Sequence, residues 1–220
     1  MNVKLIGFTP NPEKLPAMAA KLTHTIAKPE ELEKSSDKEQ KAILDHVVNL
    51  GHTSVIEHTS FTFAISDVSR SLTHQLVRHR IASYAQQSQR YVNLKEPNYV
   101  TPPKIEKNKE MKKAYDKTME NIWKEYNKLL NLDIPAEDAR YVLPNATCTN
   151  IIVTMNARSL LNFFELRCCQ HAQWEIRKLA NNMLQEVKKV APNIFKQAGP
   201  ACKSKGICPE NKKDCPLYPK

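Results

Sequence analysis

Only four glycines occur in 220 residues: Gly7, Gly51, Gly199 and Gly206. Neither Gly-x-Gly-x-x-Gly nor a Walker loop can be written with them. A doubly wound sheet that holds a dinucleotide on a glycine turn and a helix N-terminus is therefore excluded. If such a chain binds phosphorylated ligands, side chains must hold the phosphates, and arginine has the matching planar fork of donors. The run Arg78-His79-Arg80-Ile81-Ala82-Ser83-Tyr84-Ala85-Gln86-Gln87-Ser88-Gln89-Arg90-Tyr91 supplies them. From Arg78 to Arg90 it holds three arginines, a histidine, two serines and three glutamines. A surface helix keeps an apolar stripe, and this segment, with only Ile81, Ala82 and Ala85 plainly apolar, does not keep one cleanly. It reads as a socket for phosphorylated ligands, as a solvated basic loop, or as a nucleic-acid patch.

The net charge of +10 favours anionic ligands of any of these kinds. Much of it is lysine in 104–128 and 203–220, which reads as solvated face and tail. No run of eighteen apolar residues is present, so no membrane-spanning helix is expected. The start, Met1 to Gly7, is too short an apolar run for an export signal and reads as a strand, so a cytoplasmic location is expected. The six cysteines are Cys148, Cys168, Cys169, Cys202, Cys208 and Cys215. In that compartment they are expected as reduced thiols.

Periodicity divides the chain. Residues 10–23 read as a turn and short helix, and 29–50 as a helix ended by Gly51. Ser60 to Ile65 alternates and reads as a strand. Asp67 is the expected N-cap of a helix to about Arg80, which would stack Gln75, Arg78 and His79 on one face. After Ser83 the helical period is lost, and Arg90-Tyr91-Val92 reads as a strand entry. Pro97, Pro102 and Pro103 mark a linker. A long helix is expected over 104–130, with Tyr115, Met119, Ile122, Tyr126 and Leu129 inward. A short helix after Pro135 carries Arg140. Thr149–Met155 reads as a strand, and Asn156 as the cap of a helix with Arg158 and Asn162 on one face. A last helix runs from about His171 to Val190, with Ile176, Leu179, Met183 and Val187 inward. The expected class is α+β: a single domain of helices around a central mixed or antiparallel sheet over 1–198, with an irregular Cys/Lys/Pro-rich tail over 199–220.

The spacing Arg78-His79-Arg80, seven residues, Ser88, then Arg90, resembles the signature of the flavin-dependent thymidylate synthases, the ThyX family. Asn156-Ala157-Arg158-Ser159-Leu160-Leu161-Asn162-Phe163 with Arg167 and His171-Ala172-Gln173-Trp174-Glu175 resembles a second family block. Gly51-His52-Thr53-Ser54-Val55-Ile56-Glu57-His58 resembles a third. The blocks stand in the family's order and cover roughly 15–195.

The resemblance implies reductive methylation of dUMP to dTMP, with methylenetetrahydrofolate as carbon donor and NADPH as reductant through FAD. It also implies a homotetramer with active sites shared between subunits. Arg167 matches the position that stabilises negative charge on the uracil, a role suited to a guanidinium that stays protonated. Gln75, Arg78, Gln86, Gln87, Ser88, Gln89, Arg90, Arg140 and Arg167 match dUMP-binding positions, with Arg90 and Arg140 as the phosphate candidates. Ser54, Arg78, His79, Arg80, Gln86, Asn156, Ala157, Arg158 and Asn162 match FAD-binding positions. The family often has Asn at Ala85 and an acidic residue at Gln86.

No cysteine has a sequence-local activating base, so no thiolate nucleophile is expected, in keeping with the flavin route. Ser88 is expected to contact phosphate or ring rather than attack. Cys202-x5-Cys208-x6-Cys215 lacks the paired C-x2-C spacing of a zinc ribbon, so a docked or mobile tail without metal is expected. Two other readings remain. One is a basic nucleic-acid-binding protein, which would interleave aromatics with its charges; here only Tyr84 and Tyr91 are near, and nucleic acid is not the expected partner. The other is a ThyX-fold enzyme with an altered nucleotide substrate.

Overall fold

The structure is a computed structural model that describes residues 1–219. Four strands, β1 (Asn2–Phe8), β2 (Ser60–Ser69), β3 (Ser83–Gln86) and β4 (Cys148–Asn156), form one antiparallel sheet in the order β1-β2-β4-β3. The helices are α1 (Lys14–Leu22), α2 (Pro29–Leu32), α3 (Asp37–Asn49), α4 (Arg70–Leu76), α5 (Pro103–Glu106), α6 (Lys109–Asn131), α7 (Ala136–Ala139), α8 (Ala157–Arg167), α9 (Trp174–Val190) and α10 (Ala201–Ser204). This is the α+β architecture the sequence implies. Among the described residues no helix is long and apolar enough to cross a membrane.

The chain forms two compact units. One comprises Met1–Asn2, Ile65–Arg78 and Ala85–Ile152. Its core is built on α6, where Met119, Trp123 and Tyr126 are buried. The polar tips of the two large rings are satisfied on the 94 backbone: Trp123 Nε1 donates to the Leu94 carbonyl (2.8 Å) and the Leu94 N–H to Tyr126 Oη (3.3 Å). The stripe expected on this helix omitted Trp123. Asn108 caps α6 by accepting from the N–H groups of Glu110 and Met111, and this cap splits the single helix expected over 104–130 into α5 and α6.

The other unit comprises Val3–Ala64, His79–Tyr84 and the chain from Val153 onward. Edge-to-face pairs Phe61–Phe195 and Phe164–Phe195, with centroids 5.4 and 5.9 Å apart, fill its centre. All four inward residues expected on α9 are buried. Gly51, at φ 75°, ends α3 as expected, and His52 N–H reaches the Val47 carbonyl (2.9 Å) in a Schellman-type stop. The helix expected over 29–50 is two helices, because Ser36 caps α3 by accepting from Glu39 N–H.

The largest correction precedes the signature. Asp67 does not cap a helix: it stands inside β2 at φ 56°. The cap is Ser69, whose Oγ accepts from Leu72 N–H at 3.0 Å, and α4 is over by Leu76. Arg78 and His79 follow the helix, so the face expected to stack them on Gln75 does not form. The strand also lies earlier than expected, at β3, and Arg90–Tyr91 are in a turn.

Candidate functional site

In the first unit the basic residues gather at a concavity of about 290 Å³ walled by Arg70, His74, Gln89, Arg140, Tyr141 and Asn145, among others. Burial pushes the Arg70 guanidinium below its ordinary value, and the neighbouring charge of Arg140 pushes it the same way. Two cations that raise each other's energy form a seat for an anion. Gln89 Nε2 is buried there without a hydrogen-bond partner. Buried donors are normally paired, and this one has its partner supplied if a ligand brings an acceptor.

Glu137 organises the neighbouring arginines. Its carboxylate accepts from Arg90 Nε (2.9 Å) and its carbonyl from Arg140 Nε (3.0 Å). The Arg90–Glu137 pair is about half exposed, so it is weak and an incoming phosphate can displace it. Ser88 Oγ accepts from Arg90 N–H at 3.1 Å and shapes this turn. Gln87 is engaged by Asn150, its N–H donating to that residue's carbonyl (2.9 Å) and its Oε1 accepting from Asn150 Nδ2 (3.1 Å). Gln75 is half-buried near the end of α4, and Arg78 is exposed, its Nε donating to the His74 carbonyl at 3.3 Å.

Gln86 turns inward. Its Nε2 donates to two buried hydroxyls, Thr73 Oγ1 (3.1 Å) and Thr149 Oγ1 (3.3 Å). The Thr73 hydroxyl already donates to the Arg70 carbonyl (3.0 Å), so an amide, which brings its own protons, suits this position better than a carboxylate.

In the second unit, Arg167 Nε donates to His79 Nε2 at 3.0 Å. His79 packs edge-on against Phe163, with centroids 4.9 Å apart, and its carbonyl accepts from the Tyr84 hydroxyl at 2.8 Å. Burial, and then the charge of Arg167, push the imidazole from 6.5 to about 4. His79 is thus neutral near pH 7, with its lone pair on Nε2 and its proton on Nδ1. Burial also pushes the Tyr84 hydroxyl up to about 12, so it remains a donor.

Asn156 is the N-cap of α8, as expected: its Oδ1 accepts from Ser159 N–H at 2.8 Å. Ala157 is buried, with its N–H on the Thr59 carbonyl. These two residues build the helix start rather than presenting side chains outward. Ser54, Arg80, Arg158 and Asn162 are exposed, and Arg158 pairs with Glu57 at 2.5 Å. The exposed Ser54 and Asn162 with the cations Arg80 and Arg158 fit a ligand that carries a diphosphate and ring carbonyls, as FAD does. Sequence reasoning missed Arg70 and Glu137. Arg70 lies outside the signature run, and nothing in its local sequence shows that β2 ends beside Arg140.

The Cys168 thiol is buried and pushed up to about 12 by that burial, so it supplies no thiolate near neutral pH. Among the described residues none of the six cysteines is in a disulfide.

The model of the thymidylate synthase complementing protein family matches residues 4–193. A flavin-dependent thymidylate synthase from Clostridium tetani is 51% identical, the alignment covering 98% of this chain and 93% of that one. One from Geobacter sulfurreducens is 50% identical over 98% of this chain and 94% of its own. Among solved structures, a UMP/dUMP methylase, PolB from Streptomyces cacaoi bound with 5-Br dUMP, has the same fold. Its TM-score is 0.80 at 22% identity, over 89% of this chain and 93% of that one. The chain belongs to the flavin-dependent thymidylate synthase family.

Proposed function

We propose that this chain methylates dUMP to dTMP, with methylenetetrahydrofolate as carbon donor and NADPH as reductant. The observation that carries this reading is the concavity in which Arg70 and Arg140 stand together beside the unpartnered Gln89 amide. It has the charge and the spare donor that a nucleotide 5′-phosphate requires. Arg90, released from Glu137, adds a further cation to the phosphate.

Arg78, Arg80, Arg158, His79, Ser54 and Asn162 would hold FAD, which supplies the electron transfer when bound. Gln86, Asn156 and Ala157 support that site through the elements they fix. His79 accepts from Arg167 Nε and so sets the plane of the guanidinium. Arg167 donates to the uracil where negative charge develops, and the preorganised donor is what lowers the barrier. Gln75, Gln87 and Ser88 shape the nucleotide-binding segment. The enzyme is a cytoplasmic homotetramer whose sites are shared between subunits, with residues 1–198 as its catalytic part and 199–220 as an accessory tail.

Release of tritium from C5-labelled dUMP in the presence of FAD, NADPH and methylenetetrahydrofolate, with dTMP as product, is the expected result. A folded, flavin-loaded protein that releases no tritium refutes the assignment. Methylation of UMP in preference to dUMP would support the altered-substrate reading instead.

A further inference from the structure

The tail spacing supplies three thiols, and the fold adds a fourth that spacing could not reveal. Cys169, just past the end of α8, lines the same cavity of about 310 Å³ as Cys202, Cys208 and Cys215. All four are partly buried. The other two thiols stand apart: Cys168 is sunk in the core with its thiol pushed up by burial, and Cys148 begins β4. Four of six cysteines thus line one cavity, drawn from two stretches of chain more than thirty residues apart.

The segment that brings them there is held in place. Gly199 and Pro200 are buried and α10 follows them, while Lys205 pairs with Glu165 of α8 at 2.8 Å. Beyond α10 the backbone turns tightly at the cysteines. Asn211, at φ 47°, donates its N–H to the Cys208 carbonyl (3.1 Å), and the Tyr218 N–H reaches the Cys215 carbonyl (2.9 Å). A docked tail of prolines and lysines with little apolar side chain gains little from burial, yet its three cysteines line the cavity at the end of α8.

We propose that Cys169, Cys202, Cys208 and Cys215 form a four-thiolate site for a soft metal centre that fastens the C-terminal segment to the end of α8. An all-thiolate set of four selects zinc or an iron–sulfur group over hard cations, and the two share this ligand chemistry. Among the described residues no three His, Cys, Asp or Glu side chains already converge closely enough to hold an ion. The centre therefore has to draw the thiols together, and binding and final ordering of the tail are one event. Arg167 lines the same cavity, so the metal would also brace the end of the helix that presents the guanidinium.

The test uses the full chain, expressed with zinc and iron in the medium and purified anaerobically without chelator. Elemental analysis, acid-labile sulfide and X-ray absorption are measured on the same sample. Zinc near one per chain, without sulfide and with a sulfur shell at about 2.3 Å, identifies the zinc form. Iron with matching sulfide identifies the cluster form. Neither metal above background in folded protein overturns the proposal, as does a disulfide between any two of these cysteines in that anaerobic sample. Cys208→Ser and Cys215→Ser should each lose the metal while Cys148→Ser keeps it, with circular dichroism confirming that all three are folded. Metal retained in the folded Cys208→Ser, Cys215→Ser double variant overturns it as well.

Discussion

Arg167 and His79 are joined by a hydrogen bond of 3.0 Å, from a guanidinium Nε to the imidazole lone pair. The bond exists only while His79 is neutral, because a protonated Nε2 is a donor and would face a second donor. Its protonation state therefore governs the orientation of the candidate catalytic cation.

The first prediction concerns that state. The folded pKa of His79 is lowered to about 4, against 6.5 for an unperturbed histidine. Between these values the unfolded chain binds more protons than the folded one, so stability rises with pH in this window. The contribution is fully present above about pH 6.5 and is lost as pH falls toward 4. In His79→Gln the amide oxygen can still accept from Arg167 but does not titrate. The Tm of the wild type relative to this variant should fall between pH 6.5 and 4. A constant difference across that range would contradict the assigned lone pair.

The second concerns Arg70, which the sequence did not offer. If Arg70 grips the 5′-phosphate, Arg70→Gln should raise KM for dUMP by about ten- to hundredfold, since a hydrogen bond to a charged group is worth about 1.5–3 kcal/mol. Inhibition by deoxyuridine, which lacks the phosphate, should be unchanged. Removing one of two cations that repel should leave Tm the same or higher. Equal weakening of dUMP and deoxyuridine would show that Arg70 shapes the pocket without touching phosphate.

How far the site was legible follows from the same residues. Arg167, His79 and Arg140 stand in recognisable local spacings and could be named at once. The helices α8 and α9 were placed within a few residues because caps and apolar period agree there. The segment before the signature was misread because Asp67, a good cap in isolation, is overridden by the pairing of β2. Tertiary hydrogen bonds keep the strand going to Ser69: the Asp67 N–H meets Asn150 Oδ1 at 3.3 Å, a contact across 83 positions. Arg70 beside Arg140, and Cys169 on the same cavity as Cys208, are likewise products of long-range folding that no local pattern encodes.

The third prediction separates burial from chemistry at Cys168. Its thiol, pushed up to about 12, is neither nucleophile nor metal ligand here. Cys168→Ala should cost about 1 kcal/mol for the small void left behind, lowering Tm by about 2–4 °C. Turnover and any bound metal should persist. Iodoacetamide should not label Cys168 in the native protein at pH 8. Loss of turnover in a folded, flavin-loaded variant would mean that a thiolate takes part after all.

The fourth concerns Arg167 itself, where binding and chemistry can be told apart. Lysine keeps the charge but not the planar fork, and it has no counterpart of the Nε donor that now engages His79. If Arg167 only grips ground-state nucleotide, Arg167→Lys should raise KM and leave kcat near normal. If it stabilises charge that grows on the uracil, kcat should fall by more than binding does. The expected result is the second, with a loss on the order of 3 kcal/mol, or about a hundredfold in rate. Reduction of the flavin by NADPH should be nearly unaffected, because no uracil takes part in it. A variant that methylates normally at saturating dUMP would leave Arg167 as a binding residue and remove it from the chemistry.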